Sequence, residues 1–259
     1  FGTASHQGSR LGVSIGTTLV PTTMVESMRS DLGHFLLTQP ASIPGRHVLM
    51  AEGGLAGKAL EFVMQQLIYA SDVLGDHRAD DAFARLDEAA AGTPPGADGV
   101  LFLPWLTGIW APAGDPRARG AFLNLGLGTT RAHLVRATLE GVACQLAWML
   151  PPIEALTGRS HSELVFAAGG ASSDAWAQIL ADVTNRPVRQ LAQPRLTNCR
   201  GSAFLAFHRM GLLGLDAIES TLEVRRRHEP RAALRGLYDE LVGRFVLAHE
   251  RLGPVFAGP

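Results

Sequence analysis

Residues 163–185 read ELVFAAGGASSDAWAQILADVTN, and no other stretch restricts the fold as much. ELVFAA is an apolar run of strand length, while SDAWAQILADVTN repeats its apolar residues at helical spacing. Gly169-Gly170 stand where strand hands over to helix, with a helix start near Ser173 or Asp174. A helix start leaves backbone N–H groups unpaired, and glycines let a flat or anionic ligand approach the main chain. A tight turn needing positive φ accounts for Gly-Gly equally well. The segment alone leaves both readings open.

Strand and helix alternate along much of the chain. LGVSIGTTLVPTTMV (11–25) reads as two strands joined by a turn, with Pro21 dividing the segment, and RHVLMA (46–51) as a further strand. From Ala56 a helical pattern puts Leu60, Val63, Leu67 and Ala70 on one face. Residues 80–92 form a second helix, with acids at its start and Gly92 past its end. VLFLPWL (100–106) is a buried strand or extended segment, and 108–128 carry too much Gly and Pro for regular structure. A loop of that length is functional or disordered.

The clearest helix follows, N-capped by Thr129 or Thr130, with Val135, Leu139, Val142, Leu146 and Met149 on its buried face. Pro151-Pro152 should interrupt it, with the pattern free to resume as far as Gly158. PVRQLA is a short strand, GSAFLAFHRMGLL a helix rich in small residues, and RAALRGLYDELVGRFVLAHERL an amphipathic one. This order specifies an α/β or mixed layered architecture. No linker-like change of composition divides it, so one domain is expected over 1–259.

Composition narrows the function classes. With 23 basic and 24 acidic residues, the chain has no electrostatic footprint for nucleic acid or anionic membrane. No apolar run reaches the ~18 uncharged residues of a membrane-spanning helix. The opening FGTASHQGSR has neither a signal-peptide pattern nor an initiator Met, so a piece of a longer chain is expected. Cys144 and Cys199 are the only cysteines, which suits a reducing cytoplasm, and Cys144 reads as a core residue. The nine histidines form no HxxxH or CxxC pairing, so no metal site is assigned to the chain.

Two further glycine motifs compete for the chemistry. GVSIG (12–16) matches the G-x-S-x-G elbow of serine hydrolases, which would make Ser14 a nucleophile. That motif needs a helix behind the serine, and here a β-branched run follows. EGGLAGKA (52–59) approaches a phosphate-binding loop but has Glu52 for its first glycine and Ala59 for its magnesium-holding hydroxyl. Lys58 therefore reads as an exposed residue in a first helical turn. Arg225–Arg227 with His228 read as a solvated basic run, Trp105 and Trp148 as packing residues, and Asp115 with Arg117 and Arg119 as a polar turn.

Taken together, SIGTT, LPWLTGIWAPAGDPRARGAFLNL, TRAHLVRATLEGVACQLAWML and AAGGASSDAWAQILAD resemble, in that order, the C-terminal half of the FGGY carbohydrate kinases. The xylulokinase-like members are the nearest in pattern. The resemblance covers most of residues 10–215. It implies an actin-like ATPase (ribonuclease H-like) fold, a mixed sheet flanked by helices, one of two domains around a cleft. It also implies ATP and Mg2+ as cofactors and phosphoryl transfer to a sugar, most simply a pentulose such as xylulose. By the same match, Gly16 and Thr17 lie at the ATP phosphates, Gly57 and Glu61 on a helix lining the nucleotide, and Gly169, Gly170 and Asp174 around adenosine.

The pattern departs from the family in places. Ile109-Trp110-Ala111-Pro112 stand where Glu-Arg-Thr-Pro is frequent, Ala171 replaces a third glycine, and NCRGSAFLAF replaces a segment richer in Gly and Ala. The family's catalytic aspartate precedes the Gly-Thr hairpin, and no Asp occurs here before Asp31. Base, metal-handling and sugar-binding groups are thus expected in an N-terminal domain upstream of Phe1, leaving this chain inactive alone. An isolated half should expose Ile109 and Trp110 and self-associate, so a homodimer joins the sugar and the N-terminal domain as an expected partner. A noncatalytic nucleotide-binding or assembly module on the same fold is the alternative.

Overall fold

Alternation of buried Leu11, Val13 and Ile15 with Gly12 and Ser14 makes β1 (Arg10–Ile15) a central strand. The computed structural model describes residues 2–3, 9–77 and 79–256. After β1 come β2 (Leu19–Val25), β3 (Ser30–Asp31), β4 (Leu36–Pro40), β5 (His47–Met50) and α1 (Gly57–Val63). A small hairpin of β6 (Ser71–Asp72) and β7 (Gly75–Asp76) precedes α2 (Ala82–Gly92). β8 (Leu101–Leu103) and β9 (Ala121–Leu123) form a second two-stranded ribbon before α3 (Arg131–Thr157). The chain continues through β10 (Glu163–Ala167), α4 (Asp174–Thr184), β11 (Val188–Leu191), α5 (Thr197–Arg209), β12 (Val224–His228) and α6 (Arg235–Phe256).

Eight strands form one mixed sheet in the order β12-β11-β10-β1-β2-β5-β4-β3. β1 and β11 pair with β10 in parallel, and α4 makes the crossover between β10 and β11. The remaining pairs are antiparallel. Leu164 and Phe166 join β1 in the main core against α3 and α4, while Val165, Ala167 and Leu191 pack with Leu222 on the other face. The expected mixed sheet flanked by helices is therefore present.

Pro21 lies inside β2 opposite Val13 rather than dividing the segment. The turn is at 16–18, and β5 ends at Met50, so the N–H that Pro21 lacks falls at the end of that ladder. Leu67 is 47% exposed, against its expected burial. The cause is a π-turn at Met64–Ile68, closed by Tyr69 N–H donating to Met64 O at 2.7 Å, which brings Met64 and Ile68 inward instead. α3 begins after Thr130 and runs unbroken through Pro151-Pro152 to a left-handed cap at Gly158. Burial of Met149, Leu150 and Ile153 around the prolines offsets the lost backbone bonds.

One buried polar cluster fixes α2 and α6 on α3. Arg136 donates through Nε to Glu140 Oε1 at 2.8 Å, through Nη1 to the Ala90 and Thr93 carbonyls, and through Nη2 to Tyr238 Oη. Tyr238 in turn donates to Glu140 Oε1. Burial raises the Glu140 carboxyl, and the Arg136 charge opposes that shift. This clamp sets the distance between α2 and α3. It thereby shapes the cavity described next.

Candidate functional site

The tip of the β1–β2 hairpin is where the site begins. Gly16 N–H donates to Thr18 O, and the outward-facing carbonyls of Gly16 and Thr17 accept N–H groups from the start of α1. Gly57 donates to Gly16 O at 3.0 Å, while Ala56 and Lys58 donate to Thr17 O at 3.0 and 3.2 Å. EGGLAGKA is thus a docking segment for the hairpin and not a phosphate loop: Gly53 and Gly54 bond along Leu19, and Gly54 has φ +84.

A cavity of about 530 Å³ opens beside this hairpin. Gly16, Thr17, Gly57, Glu61, Gly169 and Gly170 all line it, although they come from three separate parts of the chain. Its floor is apolar, with Leu60, Leu86, Leu139 and Trp176. Lys58 also lines it, held to Glu61 at 3.0 Å, and Gln65 donates to the other Glu61 oxygen. Arg195 reaches it from the turn after β11, where Pro194 O accepts Ala168 N–H.

The two glycines of the strand-to-helix turn have different reasons for being glycine. Neither has positive φ; that conformation belongs to Ala168, at φ 66 and ψ −166. A Cβ on Gly170 would lie 2.8 Å from Ile15 Cγ2, so close packing on β1 requires glycine there. A Cβ on Gly169 would meet nothing within 4 Å, so its surface is left to the cavity.

Asp174 is the one expected residue that does not line the cavity. Gln190 Nε2 donates to its Oδ1 at 2.9 Å and Arg225 Nη2 lies 3.0 Å from the same oxygen, so the carboxylate is held toward β11 and β12. The basic run at 225–227 is accordingly an edge strand whose arginines meet Asp174, Glu163 and Glu229. Ser173 lines the cavity in place of Asp174, capping α4 by accepting Trp176 N–H at 2.9 Å.

Sequence reasoning missed one whole wall. Phe83, Ala84 and Asp87 of α2 face the cavity next to the Gly169–Ser173 turn, and Ser173 Oγ donates to Asp87 Oδ1. The helix itself was legible, but no local pattern indicates which part of the molecule it crosses. The structure agrees with one sequence reading and corrects another. Ser14 sits mid-strand, paired with Val20 on one side and Ala167 on the other, so no nucleophile elbow forms. Ile109 is buried at 2% exposure with its N–H on Asp115 O, and only Trp110 of that pair is exposed.

Comparison with known proteins decides the family. The family model described as the FGGY family of carbohydrate kinases, C-terminal domain, matches residues 11–210. The chain belongs to the FGGY family of carbohydrate kinases. A glycerol kinase of Geobacter sp. (strain M21) is 33% identical over 251 residues, covering 93% of this chain and 44% of that protein. Among solved structures, the xylulose kinase from Rhodospirillum rubrum aligns with a TM-score of 0.83 and 27% identity, over 98% of this chain and 50% of that one. The Plasmodium falciparum glycerol kinase solved with ADP aligns with a TM-score of 0.77 and 20% identity, over 95% of this chain and 48% of that one. This FGGY chain thus spans about half the length of the proteins it matches, and its fold is the actin-like ATPase fold of those kinases. No helix among its described residues is long and apolar enough to cross a membrane.

Proposed function

We propose that this chain is the nucleotide-binding domain of an ATP-dependent sugar kinase, with ATP or ADP in the cavity between the β1–β2 hairpin and α2. The observation that carries this reading is convergence: Gly16, Thr17, Gly57, Glu61, Gly169 and Gly170 meet on one cavity. Exposed main chain at the hairpin, with Lys58 and Arg195 also on the lining, suits a polyphosphate, and the apolar floor suits a heterocycle. The ADP bound by the Plasmodium falciparum relative agrees with it.

Transfer to a sugar hydroxyl needs a base, a metal and an acceptor site around the γ-phosphate. Among the described residues, no group of three or more His, Cys, Asp or Glu side chains is placed to hold a metal ion. No residue of this chain is assigned to Mg2+ in this proposal, and the base and sugar contacts are assigned to a complementary N-terminal domain. The acceptor class is a small polyol or ketose. A pentulose such as xylulose is the specific candidate, and glycerol is the competitor that the Geobacter relative raises. A cytoplasmic setting fits the free Cys144 and Cys199.

The test has two parts. Titration calorimetry on this chain should detect ADP binding, and the full-length protein should release ADP in the presence of xylulose or glycerol while this chain alone does not. Failure to bind ADP refutes the cavity assignment. Binding without transfer to any polyol or ketose by the full-length protein would favour a noncatalytic nucleotide-binding module.

A further inference from the structure

We propose that Asp87 selects the base of the bound nucleotide by accepting a hydrogen bond from an exocyclic amino group. The inference rests on the nucleotide reading above and assigns a role to a side chain that the sequence did not single out.

The cavity has charged groups on several sides. Lys58, paired with Glu61, lines it from the start of α1, and Arg195 comes from the turn that packs on Gly169–Ser172. Asp87 stands on the α2 wall among Phe83, Ala84 and Leu86, against the Ser173 side of the turn. The nucleotide reading above puts the phosphates at the hairpin, which leaves the α2 wall to the ring. Phe83 and Asp87 are four residues apart and share one face of α2, which gives the ring an aromatic contact beside a hydrogen-bond acceptor.

The geometry of Ser173 fixes what Asp87 can do. Ser173 Oγ already accepts the Trp176 N–H, so its own proton goes to Asp87 Oδ1. That bond holds the carboxylate against the turn and uses one of about four acceptor sites on its two oxygens. The rest of the group faces a cavity whose nearby surfaces are largely apolar, so a bound ring must supply a donor or leave a polar group unsatisfied. An amino group, as on a 6-aminopurine, meets that need. A ring carbonyl at the same position, as on hypoxanthine, would set acceptor against acceptor. The ribose hydroxyls have a separate acceptor in Glu61, one helical turn beyond Gly57 and hence next to the hairpin.

The experiment compares ADP and inosine diphosphate binding to this chain and to the Asp87→Asn and Asp87→Ala variants by calorimetry. Circular dichroism checks that each variant is folded. Wild type should prefer ADP by tenfold or more, as expected for a site left with an unpaired polar group by the wrong ligand. Asp87→Asn, whose amide can turn a donor toward a carbonyl, should narrow that preference to within about threefold or reverse it. Asp87→Ala should weaken ADP more than inosine diphosphate. An undiminished ADP preference in both folded variants, or no preference in wild type, overturns the role of Asp87 while leaving the nucleotide site standing. Absence of binding by wild type to either diphosphate overturns both readings.

Discussion

Gly57 donates its backbone N–H to the Gly16 carbonyl at 3.0 Å, and a Cβ on Gly57 would lie only 2.2 Å from that oxygen. The start of α1 and the tip of the β1–β2 hairpin are therefore in contact through main chain alone. No side chain fits between them. This contact holds Gly16 and Thr17 at the cavity, which makes Gly57 a structural support for the proposed phosphate end.

Gly57→Ala should separate α1 from the hairpin, cost about 1–3 kcal/mol of stability and weaken ADP binding. Gly16→Ala is the contrast, because nothing lies within 4 Å of a Cβ there. It should change stability by less than about 1 kcal/mol. Urea denaturation with parallel ADP titrations measures both. Equal stability of Gly57→Ala and wild type would show that the contact is not a constraint.

Ala168, not either following glycine, carries the unusual backbone of the strand-to-helix turn. Its φ of 66 and ψ of −166 lie in a region almost confined to glycine. Ala168→Gly should therefore stabilise the chain by about 1 kcal/mol, after allowing for the entropy that glycine loses on folding. Gly170→Val should do the opposite, since its branched side chain enters the space of Ile15. Denaturation midpoints decide the matter: a lower midpoint for Ala168→Gly would contradict the strain.

His161 is fully buried, and neither ring nitrogen has a hydrogen-bond partner among the described residues. Burial first, then the Arg159 and Arg186 charges, push its pKa down from 6.5 to about 4, with Glu154 opposing. The folded state thus prefers the neutral ring, while the unfolded chain protonates it near pH 6.5. Its stabilising contribution is complete above pH 6.5 and is lost as pH falls toward 4. Below that both states are charged and the loss levels off. Replacing His161 by Gln should flatten this part of the stability–pH curve, measured by denaturation at closely spaced pH values. An unchanged slope between pH 6.5 and 4 in His161→Gln would assign the acid sensitivity to other groups.

Local pattern determined a good part of this protein. The Val-, Ile- and Thr-rich run at 11–25 specified two strands joined by a turn, the 3.6-residue stripe from Val135 to Met149 specified the buried face of α3, and Ser173 or Asp174 marked the start of α4. The ordered motifs also identified the family and brought Gly16, Thr17, Gly57, Glu61, Gly169 and Gly170 of the cavity to notice. These signals survive because each depends on neighbours within one element or one turn.

Only the tertiary structure decided the rest. The π-turn that turns Leu67 outward, the persistence of α3 through Pro151-Pro152 and the burial of Ile109 depend on what packs alongside. So does the side of α4 to which Asp174 points, because Gln190 and Arg225 belong to later strands. The contact between Ser173 and Asp87 joins residues 86 positions apart. It exists because α2 and α4 both pack on α3, with Arg136 and Glu140 tying α2 in place. Periodicity reports which face of a helix is buried, but the cavity wall is set by the position of one helix relative to another, and that follows from the packing of the whole core.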